Sequence, residues 1–273
     1  MIIGAMNNPK NDLASEIEAF GEMGFDYLEI TVESPSATPE KIAANRKRIL
    51  DALHSYNLGV LSHYPWYFSV AHPYESIQRA INAEFGKAFE SAASLGAKLA
   101  TIHTEFMPPS VQEKPVQVAR TIASIKALHK IASDVGLELL IENYGASSFA
   151  IKDFKSLFSE LDMRMTLDVG HAEVSGGEGF DTYAKEFRKR IAHVHLHDNN
   201  RMADQHLPLG AGKIDIAKCV KDLKSFYDGT ITLEVHSSDR DFLQMSREKL
   251  EILWFGRKKF EENKEYLQPQ RKG

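Results

Sequence analysis

The sequence holds one cysteine, Cys219, in 273 residues. No internal disulfide can form and no thiolate cluster is available, so any metal has to be held by His, Asp and Glu. An excess of positive charge is missing too. Lys and Arg number 33 against 38 Asp and Glu, a formal net charge of −5 that offers no general attraction to nucleic acid or to a membrane surface. No apolar run approaches the length of a membrane span, and the opening MIIGAMNNPK has no basic leader, so a cytoplasmic protein is the expectation. Nor does a glycine-rich phosphate loop follow the first apolar run. AMNNPKND is not one, which argues against an open dinucleotide-binding sheet.

What the sequence does contain is an alternation repeated eight times. Runs rich in Val, Ile and Leu read as strands: IIGAM (2–6), YLEITV (27–32), GVLSHY (59–64), LATIHTE (99–105), LELLIEN (137–143), MRMTLDV (163–169), IAHVHLHD (191–198) and TITLEVH (230–236). Between them lie amphipathic patterns such as TPEKIAANRKRILDALHSYN, which begins at Thr and ends at Asn as helix caps require. A last helical pattern covers roughly 241–267. Strands that alternate with helices pair in parallel with the helices outside. Eight of them close into a (β/α)8 barrel without leaving an edge, and no linker or charge block divides the chain. The expectation is an α/β fold, a single TIM-barrel domain over 1–273.

In such a barrel, chemistry gathers at the C-terminal ends of the strands. Those ends carry Glu29 on the second strand, His63 on the third, His103 on the fourth and Glu142 on the fifth. The sixth brings Asp168 and His171. The seventh brings His193, His195 and His197, with Asp204 and His206 just beyond, and the eighth brings Glu234. Any one of these is most simply a hydrogen-bonded loop residue. Seven strands delivering ionisable side chains to one mouth need a common cause, and a metal site supplies it.

Side-chain parity points the same way. In AHVHLHD, His193, His195 and His197 share one face while Ala192, Val194 and Leu196 share the other, so the histidines point into the lumen. Glu142 follows Leu139, Leu140 and Ile141, where a carboxylate is costly unless paired or bound to a cation. Imidazoles and carboxylates without thiolates suit Zn or Mn, and the donors exceed one coordination sphere. His193 and His197 are not assigned: one is expected to pack in the lumen and the other to support a ligand.

In these residues the chain resembles the xylose isomerase-like TIM-barrel superfamily, which also contains the endonuclease IV-type apurinic endonucleases (AP endonuclease family 2). The resemblance runs through FDYLEI, LSHYPWYFSVAHPYES, IHT, IENYG, LDVGHAE, HLHDN and LEVHS. DQHLPLGAGKI is similar to the D-x-H-x-x-L-G-x-G-x-I run of the endonuclease branch. The resemblance implies a shared metal site on Glu142, Asp168, His195 and Glu234, which is all that the isomerases and epimerases need. For the endonuclease branch it implies three zinc ions, with further ligands at His63, His103, His171, Asp204 and His206 and with Glu142 between two of them. One to three divalent ions per chain are therefore expected.

Two mechanisms follow. In the first, a metal-dependent isomerase or epimerase acts on a small sugar, sugar phosphate or polyol, moving a proton next to a carbonyl and hydroxyl that the metal polarises. Glu142 and Glu234, reaching the site from different strands, act as base and acid. Trp66 stacks on the sugar, His171 and Arg201 orient it, Lys213 in the GAGK turn holds a phosphate, and Glu29 lines the substrate site. In the second, a zinc phosphodiesterase cuts abasic DNA with all nine ligands, and only here is nucleic acid a partner. The second strand and the loop TVESPSATPEK after it set Glu29 and Glu33 where a phosphate backbone would approach, and the loop lacks a DNA-probing Arg. The sequence therefore favours the isomerase or epimerase. The LPLGAG turn is expected to let the loop after the seventh strand fold over the mouth. A homo-oligomer is compatible with either mechanism.

Overall fold

The computed structural model describes residues 1–104, 106, 108, 110–144, 149–174 and 177–257. Eight strands form the centre: β1 (Ile2–Met6), β2 (Tyr27–Thr31), β3 (Gly59–His63), β4 (Leu99–Ile102), β5 (Glu138–Glu142), β6 (Arg164–Asp168), β7 (Ile191–Leu196) and β8 (Thr230–Leu233). Each pairs in parallel with its neighbour in sequence, and β1 pairs with β8, so the barrel is closed. The helices are α1 (Leu13–Glu22), α2 (Pro39–Ser55), α3 (Glu75–Ser94), α4 (Lys114–Asp134), α5 (Ile151–Glu160), α6 (Val169–Glu173), α7 (Phe180–Phe187), α8 (Ile216–Leu223) and α9 (Asp241–Phe255). This is the (β/α)8 architecture expected from the alternation.

Local chemistry explains the boundaries. Asp12 caps α1 by accepting from Ser15 N, and Thr38 caps α2 with Pro39 in its first turn. The strands begin within a residue of the expected positions but several stop sooner. β4 ends at Ile102 and β8 at Leu233, so His103 and Glu234 lie just past these strands, and Glu234 N still donates to Leu196 O at 3.2 Å. Residue 105 of the expected fourth strand lies outside the described residues. Helix α9 ends at Phe255, before Gly256 at φ 87°. A left-handed glycine stops a helix in this way. Residues 258–267 of the expected last helix lie outside the described residues.

Parity sorts the strand residues into two interiors. Leu28, Ile30, Leu139, Ile141, Val194 and Leu196 belong to the hydrophobic core under the helices. Their alternates fill the lumen, which is polar. Tyr27 Oη and Thr232 Oγ1 are 2.8 Å apart, as are Thr101 and Thr166 Oγ1. Gly4 makes room for the Tyr27 ring, which a Cβ there would overlap. Barrel lumens are ordinarily filled by Val, Ile and Leu. Here hydrogen-bonded side chains fill much of the space, and they support the ionisable groups above. Glu29 is among them: it sits mid-way along β2, not at its end as expected, and is fully buried. Among the described residues no helix is long and apolar enough to cross a membrane.

Candidate metal centre

The ends of β5, β6, β7 and β8 converge on one cluster. Glu142 ends β5, Asp168 ends β6, His195 lies one residue before the end of β7, and Glu234 follows β8. One donor atom from each lies within 4.8 Å of the other three, and all four residues are buried. Asn143 ties β5 to β6: its Nδ2 donates to Asp168 O at 2.8 Å, and its Oδ1 accepts from Asp168 N at 2.9 Å. Asp168 also caps α6, its Oδ1 accepting from His171 N at 2.6 Å. Yet Glu142 Oε2, Asp168 Oδ2 and Glu234 Oε2 are buried without a hydrogen-bond partner. An unpartnered buried carboxylate oxygen is costly. Three in one cluster, beside an imidazole, fit the donor set of a divalent cation such as Zn or Mn.

A second group adjoins the first. His63 and His103 bring their Nε2 atoms to 2.8 Å from each other and to 3.5 and 3.3 Å from Glu142 Oε2. The other oxygen, Glu142 Oε1, faces His195 Nδ1 at 3.2 Å and His171 Nδ1 at 3.1 Å. Glu142 thus stands between two clusters. Burial alone would raise its carboxyl, but His195 and His103 hold it well below the usual range. Burial pushes His103 down to about 3, which leaves it neutral and able to ligate.

A third group lies toward the loop after β7. Nε2 of His171 and of His206 lie 3.1 and 3.0 Å from Asp204 Oδ2. His197 joins them, its Nε2 3.5 Å from Asp204 Oδ1 and 3.2 Å from Asp168 Oδ1. His206 is held up to about 9, because its bond to Asp204 and the nearby Glu234 outweigh the effect of burial. His236 stacks on His206 with ring centroids 4.0 Å apart, and burial pushes it down to about 4.

Below all three groups lies Glu29. Its carboxylate meets His193 Nε2 at 2.9 Å and His195 Nε2 at 3.2 Å, and it accepts from Thr232 Oγ1 at 2.5 Å. Burial works against its charge, but His195 and His193 hold the carboxyl well below its ordinary range. Fully buried there, Glu29 takes no part in the wall of the cavity above the clusters. His193, bonded to Glu29 and to Thr230 Oγ1 at 2.7 Å, is the lumen histidine.

Above the clusters opens a cavity of about 920 Å³, whose wall includes Asn7, Glu33, His63, Trp66, His103, Tyr144, His171, Asp204, His206 and Glu234. Trp66 stands on its rim, 52% exposed. Of the two acidic residues expected after β2, only Glu33 reaches this wall. Arg201 does not: its backbone is left-handed at φ 63°, and its guanidinium pairs with Glu173 at 3.0 Å. Lys213 is also absent from the wall, its N–H donating to Asn199 O at 2.8 Å. The loop between β7 and α8 is folded around Asp198. Oδ2 accepts from Gly210 N and Gly212 N at 2.8 and 2.9 Å, and Oδ1 from Asn199 N and Ile214 N at 2.8 and 3.1 Å. Gly210 sits at φ 83°, as a tight turn requires, and the loop brings Asp204 and His206 to the mouth.

The structure brings together all nine residues expected as ligands and leaves Glu29, Arg201 and Lys213 off the cavity wall. Asn143, His197, Asp198 and His236 are the participants that sequence reasoning passed over or left unassigned. Parity pointed to His197, which shares a face with His195. Nothing in one sequence marks Asn143 or Asp198, since their partners are main-chain groups.

Comparison with known proteins agrees with this architecture. The family described as xylose isomerase-like TIM barrel matches residues 17–259. An uncharacterised protein of Methanocaldococcus jannaschii is 26% identical over 257 residues, 88% of this chain and 86% of that protein. A solved D-tagatose 3-epimerase-like protein superposes with a TM-score of 0.82 at 23% identity, covering 95% of this chain and 99% of that one. A 3-keto-D-glucoside 4-epimerase from E. coli gives 0.73 at 18% identity, over 90% and 99%. At such identities the structural likeness establishes the barrel, not the reaction.

Proposed function

The chain belongs to the xylose isomerase-like TIM-barrel family, and from that premise we propose that it is a metal-dependent isomerase or epimerase of a small sugar, sugar phosphate or polyol. One observation carries this reading. Glu142, Asp168, His195 and Glu234 form a buried cluster in which three carboxylate oxygens have no partner. A divalent ion held there, Zn or Mn, supplies positive charge to the oxygens beside the carbon that loses its proton. Glu142 and Glu234 border that position from β5 and from the end of β8. One carboxylate takes the proton from carbon and the other returns one, on the opposite face for an epimer. Asp168 and His195, fully buried, hold the geometry. Asn7 offers a hydroxyl-binding amide: its Oδ1 accepts from Thr31 N at 2.8 Å, and its Nδ2 has no partner beside the cavity. Trp66 provides an apolar face for the C–H side of a sugar. The two solved structures that share the barrel, a D-tagatose 3-epimerase-like protein and a 3-keto-D-glucoside 4-epimerase, support the same substrate class.

A second reading, an endonuclease IV-like zinc phosphodiesterase, draws on the position of Glu142 between His63, His103 and His195. The burial of Glu29 also takes one acidic group away from the path of a phosphate backbone. Under this reading all nine ligands serve the reaction, with up to three ions.

The test combines metal content of protein purified without added metal with two assays run in parallel. Ketoses and their phosphates are incubated in D2O and followed by NMR, and an abasic duplex is assayed for incision. Deuterium entering the carbon beside the carbonyl, with appearance of the epimer or isomer, is expected. Incision of abasic DNA that falls steeply with salt, with no exchange in any sugar, would replace the first reading by the second.

A further inference from the structure

Two asparagines follow strands on opposite sides of the barrel, and each clasps the next strand. Asn143, just past β5, uses both ends of its amide on Asp168, Nδ2 donating to the main-chain O and Oδ1 accepting from N. Asn7, just past β1, uses only one. Its Oδ1 accepts from Thr31 N at 2.8 Å, which fixes the orientation of the amide and leaves Nδ2 without a partner. The Thr31 hydroxyl, at the end of β2, is also buried without a partner. Asn7 and Thr31 are only 3% and 4% exposed, yet both belong to the wall of the cavity. Glu33, half-buried, joins them on that wall.

Strands four apart face each other across an eight-stranded barrel. β1 and β2 therefore stand opposite β5 and β6, which bring Glu142 and Asp168 to the inner cluster. A molecule held by that cluster at one end meets Asn7, Thr31 and Glu33 with the other.

The chemistry of these three groups decides what that end carries. Asn7 Nδ2 only donates, a carboxylate only accepts, and the Thr31 hydroxyl does either. A sugar hydroxyl accepts from the amide and donates to the carboxylate, so it satisfies both. A phosphate can only accept, and Glu33 meets it with like charge. Among the described residues, the Lys and Arg side chains on this wall are those of Lys10 and Arg240, and Arg240 is paired with the buried Glu16 at 2.5 Å. Glu16, Glu33, Asp204 and Glu234 lie on the same wall, so its Lys and Arg provide no surplus for a dianion.

We propose that Asn7, Thr31 and Glu33 form a hydroxyl-binding subsite for the substrate end remote from the inner cluster, selecting a free sugar over its phosphate ester. The choice of sugar as ligand rests on the isomerase or epimerase reading. The three residues bind and orient, and none moves a proton on carbon.

The test reads binding separately from turnover. Calorimetry on the metal-loaded protein compares free ketohexoses with their terminal phosphate esters and with analogues lacking the terminal hydroxyl, and the D2O exchange assay runs beside it. A free ketohexose should bind at least about 100-fold more tightly than its ester, because like charges are brought together in the complex. It should bind about 10-fold more tightly than the deoxy analogue, which leaves buried polar groups unpaired. Thr31→Val keeps the shape and removes the hydroxyl. Affinity for the free sugar should fall about 10-fold, while that for the deoxy analogue stays unchanged. Glu33→Gln, at a half-buried position, should narrow the gap between sugar and ester by at least about 10-fold. Circular dichroism reports the fold of both variants. An ester that binds as tightly as the free sugar would overturn the proposal. So would an equally tight deoxy analogue, which would mean that solvent alone meets Asn7 and Thr31, or the failure of every ketohexose to bind. The expected preferences without deuterium exchange in any sugar would remove the isomerase reading and leave the subsite standing. Exchange without those preferences would remove the subsite and leave the reading.

Discussion

Glu29 grips His195 from below, its carboxylate oxygens 3.2 Å from Nε2, while Nδ1 on the other side of the ring faces Glu142 at 3.2 Å. The floor of the barrel thereby sets which nitrogen His195 presents to the inner cluster. Carboxylate–histidine pairs of this kind orient a ligand and raise its basicity. Glu29→Gln keeps the size of the side chain but removes that charge. Metal affinity of the inner cluster should fall about 10–100-fold. Competition with a coloured chelator measures it, and an unchanged affinity would show that Glu29 only fills the lumen.

Glu234 has a buried oxygen without a partner and lies at the wall of the cavity. Glu234→Gln should lower kcat by at least about 100-fold, the lower range for losing a general acid or base, and by more if the ion leaves with it. Deuterium exchange into substrate is the measurement. Turnover indifferent to this substitution would end the two-carboxylate mechanism.

Gly170 lies in α6 against the fully buried ring of His197. Helix propensity alone favours Ala over Gly by about 1 kcal/mol. Steric overlap should win here, because the ring is confined by Asp168 and by the stacked His206 at 4.0 Å. Gly170→Ala is expected to destabilise the chain by about 1–3 kcal/mol. Thermal unfolding checks the sign: a rise in Tm would mean that the ring moves freely.

Asp198 accepts four backbone N–H groups from the loop that carries Asp204 and His206. Asp198→Asn replaces one acceptor by an NH2 that faces donors. The expected loss is on the order of 3 kcal/mol. Hydrogen exchange should speed up at Gly210 and Gly212 while the strand amides keep their protection. Uniform loss of protection would point instead to global unfolding.

Chelation of bound metal should lower Tm. An ion present at 100 times its Kd stabilises the folded chain by about 2.7 kcal/mol, which for a domain of this size is roughly 5–11 °C. Scanning calorimetry with and without EDTA measures the shift, and restoring the ion should restore Tm.

Several of these features were legible before any coordinates. The eight apolar runs and their helical partners appear almost where expected, because strand and helix periodicities are local properties of the chain. Alternation in AHVHLHD turned its histidines inward for the same reason. Expectation and structure part where a side chain's partner lies far away in sequence. Glu29 reads as a strand-end group near the mouth, yet its register in β2 sets it beside His193 and His195, more than 160 residues on. Arg201 and Lys213 read as ligand-holding cations, yet a left-handed backbone and the nearby Glu173 turn Arg201 aside, and the wall of the cavity does not include Lys213.

The sequence by itself determined the closed barrel, the inward face of each strand and the set of imidazoles and carboxylates gathered at one mouth. These depend on patterns spanning a few residues and on the need of eight parallel strands to lose their edges. Only the tertiary structure decided how those groups divide into a floor, an inner cluster between Glu142 and Glu234, and an outer cluster around Asp204. That division rests on which ring nitrogen meets a carbonyl and which carboxylate oxygen stays unpartnered. Both are set by hydrogen bonds between strands distant in sequence, to main-chain atoms that every residue possesses and no sequence pattern marks.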